Sequence, residues 1–245
     1  MSGFVDVHSH VVPSGDDGAD SIEAGLAMCR LALESGTEIL FATPHAHAPW
    51  DTFPRTPGRD AIYAAAFPVM QKEVAVWGLD LRRGSEAYPT VITPENVNEH
   101  SLEGTSGVLI EFPGSWVELD DAIEIITMAG NVVEAAGLVP VLAHPERCRA
   151  VADHPGCVRP LVGRGWLLCV NAPSFLGRHG ATAERTAWEL LDAGQIALAA
   201  SDGHTSKRPP VLAEAYEVVR DRRGEAVAQP LFTGSVLPWN HPSAN

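Results

Sequence analysis

Long hydrophobic runs are missing from this chain. No apolar stretch approaches the roughly 18 uninterrupted residues of a membrane span. The N-terminus carries no basic segment followed by a hydrophobic one, so direct membrane insertion is not expected. Basic residues are also few: 17 Lys and Arg against 31 Asp and Glu leave a net charge of -14. That balance repels nucleic-acid backbones and anionic membranes, and no lysine stripe interleaved with aromatics offers a local exception. Cysteine is scarce as well. Cys29, Cys148, Cys157 and Cys169 fall at irregular spacing with no C-x-x-C pair, which reads as reduced thiols in a cytoplasmic protein.

What is present is an ordinary globular composition, 45% hydrophobic and 20% charged over 245 residues, enough for a substantial core. Apolar β-branched runs alternate with helical patterns and no composition break marks a linker, so one domain spanning residues 1–245 is expected. Phe4, Val5 and Val7 read as a first strand. Asp20 and Glu23 then form a capping-box pattern ahead of Ile22, Leu26, Cys29 and Leu33 at helical spacing. Six further strands follow: EILFATPH, LDLRRGSE, GVLIEFP, LVPVLAHPER, WLLCVN and IALAASDGH. The segment from Ala46 to Arg59, with Pro49, Pro54, Pro57 and Gly58, reads as a loop bordering a site, and a helix from Asp60 to Val76 follows it. Seven strand–helix alternations predict an α/β protein with a parallel barrel, in which chemistry collects at the C-terminal strand ends.

Ionisable residues gather at those ends. His8 and His10 stand at i and i+2 after the first strand, so their imidazoles leave one face of an extended chain. His45, Glu86, Glu111, His144, Asp202 and His204 close other strands, and Asp17 lies in the first loop. Five imidazoles and four carboxylates suit a cluster of divalent cations. Three such ions would turn four negative charges into a net positive of about two and attract a phosphate to an acidic chain. Asp16, beside Gly18, reads as an Asx-turn residue.

The segments HSHVVPSGDDGA, ATPH, GSE, IEFP, PVLAHPER, PSFLGRHG and ASDGH resemble, in that order, the PHP (polymerase and histidinol phosphatase) family. Within it they are most similar to the manganese-dependent tyrosine phosphatases of bacterial capsule and exopolysaccharide systems. The resemblance implies an α/β fold, a distorted seven-stranded TIM-like (β/α)7 barrel, with a trinuclear site, manganese expected and iron, zinc or magnesium also compatible. It implies that His8, His10, Glu86 and Asp202 hold a first ion, Glu86, Glu111 and His144 a second, and Asp17, His45 and His204 a third. Arg147 matches a family arginine suited to gripping a phosphoryl group, and Arg208 is a second candidate. The implied activity is hydrolysis of a phosphotyrosine protein, a bacterial tyrosine kinase among the candidate partners, by water activated through metal coordination.

A cysteine-dependent route is absent, because the residues six places after the four cysteines are Ser35, His154, Gly163 and Phe175, not arginine. Two alternatives stay open: a small-molecule phosphatase such as one acting on histidinol phosphate, and a non-catalytic metal-binding regulatory module. His47, separated from His45 by Ala46, reads as a rim or substrate-side residue. Trp50 and Phe53 offer rings for one wall of the cleft.

Overall fold

The structure is a computed structural model describing residues 3–48, 51–114 and 117–240. Its strands are β1 (Phe4–Asp6), β2 (Thr37–Ala42), β3 (His45–Ala46), β4 (Asp80–Arg83), β5 (Glu86–Ala87), β6 (Gly107–Glu111), β7 (Val139–Ala143), β8 (Leu167–Asn171) and β9 (Ile196–Ala200). The helices are α1 (Ile22–Glu34), α2 (Pro57–Trp77), α3 (Leu119–Ala135), α4 (Arg149–Asp153), α5 (Arg159–Gly163), α6 (Ala181–Asp192), α7 (Ala213–Arg223) and α8 (Glu225–Phe232). Every strand pairing is parallel, as helix crossovers between successive strands require.

The strands form two sheets, β1-β2-β4 and β3-β5-β6-β7-β8-β9, rather than the closed seven-stranded barrel expected. Two of the seven expected strands are each broken in the middle. Thr43-Pro44 separates β2 from β3, where proline has no N–H to donate to a ladder. Gly84-Ser85 separates β4 from β5, and a Cβ at Gly84 would stand 2.8 Å from Leu102 Cδ2. Hydrogen bonds from Gly84 N to Ala42 O and from Glu86 N to Pro44 O carry the pairing past both breaks. The outer edges β1 and β9 meet at the Ser9–Gly203 bridge.

Alternate residues of the strands, among them Val5, Phe41, Leu109, Val141, Cys169 and Leu198, pack into one inner cluster that Leu237 closes from the C-terminal segment. The helices cover the outer faces. Ile126 and Val133 of α3 pack there with Val108, Ile110 and Leu142, while Met28 and Cys29 of α1 and Phe67 and Met70 of α2 pack with Leu40 and Leu81.

Two helix starts differ from the sequence reading. The cap of α1 is Ser21, whose hydroxyl accepts from Ala24 N, so the Asp20/Glu23 box does not form. Helix α2 starts at Pro57, three residues before Asp60, because the Thr56 hydroxyl caps it and accepts from Arg59 N. Proline at the first helical position loses no hydrogen bond.

Candidate metal centre

The nine residues singled out by sequence converge at the C-terminal ends of the strands. His8 and His10 follow β1, His45 opens β3 beyond the Pro44 break, Glu86 opens β5 and Glu111 ends β6. His144 and Asp202 follow β7 and β9 in left-handed backbone conformations, at φ 38° and 51°. Non-glycine residues adopt that region at a conformational cost that functional sites commonly carry. Here the reversal turns an imidazole and a carboxylate back over the strand ends.

Among the described residues, these nine together with His47 form four groups whose donor atoms each fit around one cation: His10–Asp17–His45–His204, His8–His10–Asp202, His8–Glu86–His144 and His45–His47–Glu111. The first three match much of the expected division. Glu111 does not fall in with Glu86 and His144. Its Oε2 lies 2.7 Å from His47 Nε2 and 3.8 Å from His45 Nδ1, while Glu86 Oε1 lies 2.7 Å from His144 Nε2.

The arrangement fits cations better than it fits a self-contained hydrogen-bond network. Glu86 Oε2 is buried at 2.9 Å from His45 Nδ1, 3.1 Å from His8 Nε2 and 3.3 Å from His10 Nε2, yet it has no hydrogen-bond partner. Three ring nitrogens crowd one carboxylate oxygen without aligning as donors to it. His8 Nε2 and His10 Nε2 also face each other at 3.2 Å. Nitrogen and oxygen ligands aimed at common points in this way suit divalent first-row ions or magnesium.

Acids and bases in the cluster are tightly coupled. Burial disfavours a charged His10, but the Asp16 and Glu86 carboxylates lift its pKa to about 9. Burial likewise opposes the charge on His45, and Glu86, Asp17 and Glu111 lift it to about 11. Burial would raise Glu86, yet the His8 and His45 imidazoles hold it well below the usual carboxylate range. Asp202 is held low against burial by His8, His204 and His144. Buried carboxylates thus stay ionised, and positive charge is required among them.

A cleft of about 290 Å³ opens over this cluster, lined by its four carboxylates, by His45, His144 and His204, and by Phe112, Pro113, Arg147, Cys148 and Arg208. Arg147 Nη1 and Arg208 Nη2 donate to Asp202 Oδ2 at 2.8 and 3.0 Å, and Asn171 Nδ2 donates to the same oxygen at 2.7 Å. Both arginines therefore stand at the mouth, half-exposed and preset. Cys148 also lines the cleft, and burial pushes its thiol above the ordinary range.

Two participants were missed in the sequence. Asp16 is more than a turn residue. Its Oδ1 accepts from Gly18 N at 3.1 Å, as an Asx turn does, while its Oδ2 lies 2.9 Å from His10 Nδ1 and accepts from His45 N at 3.2 Å. His47 is buried rather than at the rim, held between Glu111 and Asp51, whose Oδ2 lies 3.4 Å from its Nδ1. The His45-x-His47 spacing repeats that of His8-x-His10 and carried the signal. Phe53 lies flat against His45, with centroids 5.0 Å apart and planes 2° from parallel, so one face of its ring covers a candidate ligand. Trp50 lies outside the described residues.

The chain is 26% identical over 209 residues to the tyrosine-protein phosphatase YwqE of Bacillus subtilis, covering 83% of this chain and 78% of that protein. It is 27% identical over 243 residues to the tyrosine-protein phosphatase CpsB of Streptococcus agalactiae, covering 94% and 95%. Among solved structures it resembles those of YwqE from Bacillus subtilis and CpsB from Streptococcus pneumoniae, described as unique metal-dependent tyrosine phosphatases. That match has a TM-score of 0.76 and 26% identity and covers 92% of this chain and 90% of the other. A phosphotriesterase homology protein from Escherichia coli shares the fold alone, with a TM-score of 0.56 and 9% identity over 95% of this chain and 97% of that one. The sequence model for capsular polysaccharide synthesis, CpsB/CapC, matches residues 4–236, and the chain belongs to that family.

Proposed function

We propose that this protein is a metal-dependent phosphatase of phosphotyrosine proteins in a capsule or exopolysaccharide system, acting in the cytoplasm with a bacterial tyrosine kinase as substrate. The observation that carries the reading is Glu86 Oε2, crowded by three unaligned imidazole nitrogens beside two preset arginines. Three manganese ions are the proposed occupants. His8, His10, Glu86 and Asp202 would hold the first, Glu86 and His144 the second, which Glu111 would join by turning from His47, and Asp17, His45 and His204 the third.

Bound divalent ions supply Lewis acidity toward water and toward phosphoryl oxygens. The chain's own residues supply binding and orientation. Arg147 and Arg208 release Asp202 Oδ2 and donate to the phosphoryl oxygens, where charge-assisted hydrogen bonds are strongest. Asn171 keeps its bond to Asp202 and holds that carboxylate in place. Glu146 anchors the turn carrying Arg147, since its Oε1 accepts from Asn171 N at 3.0 Å and from the Ser174 hydroxyl at 2.7 Å. Phe112 and Pro113 wall the cleft beside the leaving group.

The test uses protein stripped by chelation and reloaded with manganese, assayed on a phosphotyrosine peptide, histidinol phosphate and p-nitrophenyl phosphate. Turnover of the peptide and the aryl phosphate, abolished by chelator, is expected. Turnover of none of the three sinks the enzyme reading, and preference for histidinol phosphate sinks the protein-substrate reading.

A further inference from the structure

His45 forms a wall of two clefts. The second, of about 300 Å³, lies over the strand breaks, between Pro44–Ala46 on one side and Arg83–Ser85 on the other. The first turn of α2 and the 3-10 turn Val97–His100 flank it. Arg55, Arg59 and Arg83 line it together with Asp60 and Glu99. Three guanidiniums against two carboxylates make a local positive excess in a chain whose net charge is -14.

The three arginines are not equivalent. Arg59 is committed to the fold, donating to the carbonyls of Ser14, His45, Phe53 and Pro54. Arg55 is shared between Asp60 at 3.2 Å and Glu99 at 3.0 Å. Both of its partners are more than half exposed, which makes these pairs weak and exchangeable. The Arg83 guanidinium rests 4.4 Å over the Phe67 ring, and no carboxylate lies within ion-pairing distance of it among the described residues. Its planar fork is thus held by an aromatic face with its donors free, a setting suited to a carboxylate.

We infer that this cleft is a recognition subsite for an acidic side chain, Asp or Glu, adjacent in sequence to the phosphotyrosine of the substrate protein. The inference rests on the phosphotyrosine reading above. A single excess positive charge matches a carboxylate, whereas a second dianionic phosphoryl group would meet Asp60 and Glu99. The two clefts adjoin at His45, and the inference places the phosphoryl group of a bound peptide at Arg147 and Arg208 and a flanking acidic residue at Arg83. A small aryl phosphate does not reach it.

The experiment measures kcat and KM of the manganese-loaded protein on phosphotyrosine peptides with acidic, alanine or lysine flanks, with p-nitrophenyl phosphate as the reference. Wild type is expected to prefer the acidic peptide. Arg83→Ala is expected to raise KM for that peptide about 5- to 10-fold, the loss of one charge-assisted contact, with kcat kept and p-nitrophenyl phosphate unaffected. Arg83→Glu is expected to favour the lysine-flanked peptide. Equal KM for all peptides in wild type overturns the inference, as does a change in Arg83→Ala that falls equally on p-nitrophenyl phosphate. Wild type inert toward p-nitrophenyl phosphate removes the phosphatase reading itself, a separable result.

Discussion

Asp16→Asn separates what the turn needs from what the metal centre needs. The substitution keeps an oxygen for the Asx turn to Gly18 N, so the loop retains that 3.1 Å bond. At Oδ2 it sets a neutral amide against His10 Nδ1 and His45 N, where the carboxylate sits at 2.9 and 3.2 Å. The amide can still accept at one of its two ends, but not at both. Hydrogen bonds to a charged group contribute about 1.5–3 kcal/mol each, and this carboxylate side chain has no solvent exposure. Losing one such bond at His10 frees the imidazole to turn from its ligand direction, and loss of an orienting partner typically weakens metal affinity about 10- to 100-fold. Manganese titration of stripped protein by calorimetry, with turnover of p-nitrophenyl phosphate at saturating metal, measures both effects. The expected result is weaker binding, with activity largely restored at high manganese and an unchanged circular dichroism spectrum. Wild-type affinity in Asp16→Asn would refute the orienting role and leave Asp16 as the turn residue that its sequence context suggests.

Three further outcomes are expected. His144→Ala abolishes turnover and lowers bound manganese, while melting in EDTA stays near that of wild type in EDTA, because His144 faces ligands rather than the apolar core; global unfolding would count against it. His100, next to Ser85, is buried and neutral: burial first and then the Arg55 charge depress its pKa to about 4 from an ordinary 6.5. The unfolded chain therefore binds the proton first, and stability is lost as pH falls from about 6.5 toward 4, by roughly 3 kcal/mol for this group. Urea melts of wild type and His100→Asn across that window should show a shallower pH slope in the variant, and parallel slopes would dismiss the effect. Gly130→Ala places a Cβ about 2.0 Å from Trp166 Cη2, and overpacking of about 1–3 kcal/mol outweighs a helix-propensity gain of about 1. A fall in Tm of a few degrees is expected, and an unchanged Tm would show that Trp166 yields freely despite its bond to Glu134.

The strands were legible because runs such as LVPVLA and WLLCV are buried on both faces, as parallel strands between helices must be. The candidate ligands were legible because they sit where those runs stop. The breaks at Pro44 and Gly84 were less so, since EILFATPH and LDLRRGSE each read as one extended segment. A broken strand keeps its local composition and loses only ladder bonds. Asp16 shows a related limit. Its Asx-turn signal is complete within three residues, whereas its second role depends on His45 N, 29 residues away. The pairing of Glu111 with His47 instead of His144 is likewise a tertiary outcome, invisible to spacing along the chain.

Asp202 explains how an acidic chain prepares for an anion. Its Oδ1 faces His8 Nε2 at 3.5 Å, His10 Nε2 at 3.8 Å and His204 Nδ1 at 3.4 Å, while its Oδ2 takes both half-exposed arginines and Asn171. One carboxylate thus looks inward to the proposed metal ligands and outward to the proposed phosphate grip. Asp202 holds this position with a left-handed backbone, at φ 51°. Among the described residues, Asp202 is thus the one side chain through which the proposed metal ligands and the two arginines of the cleft mouth touch a common group.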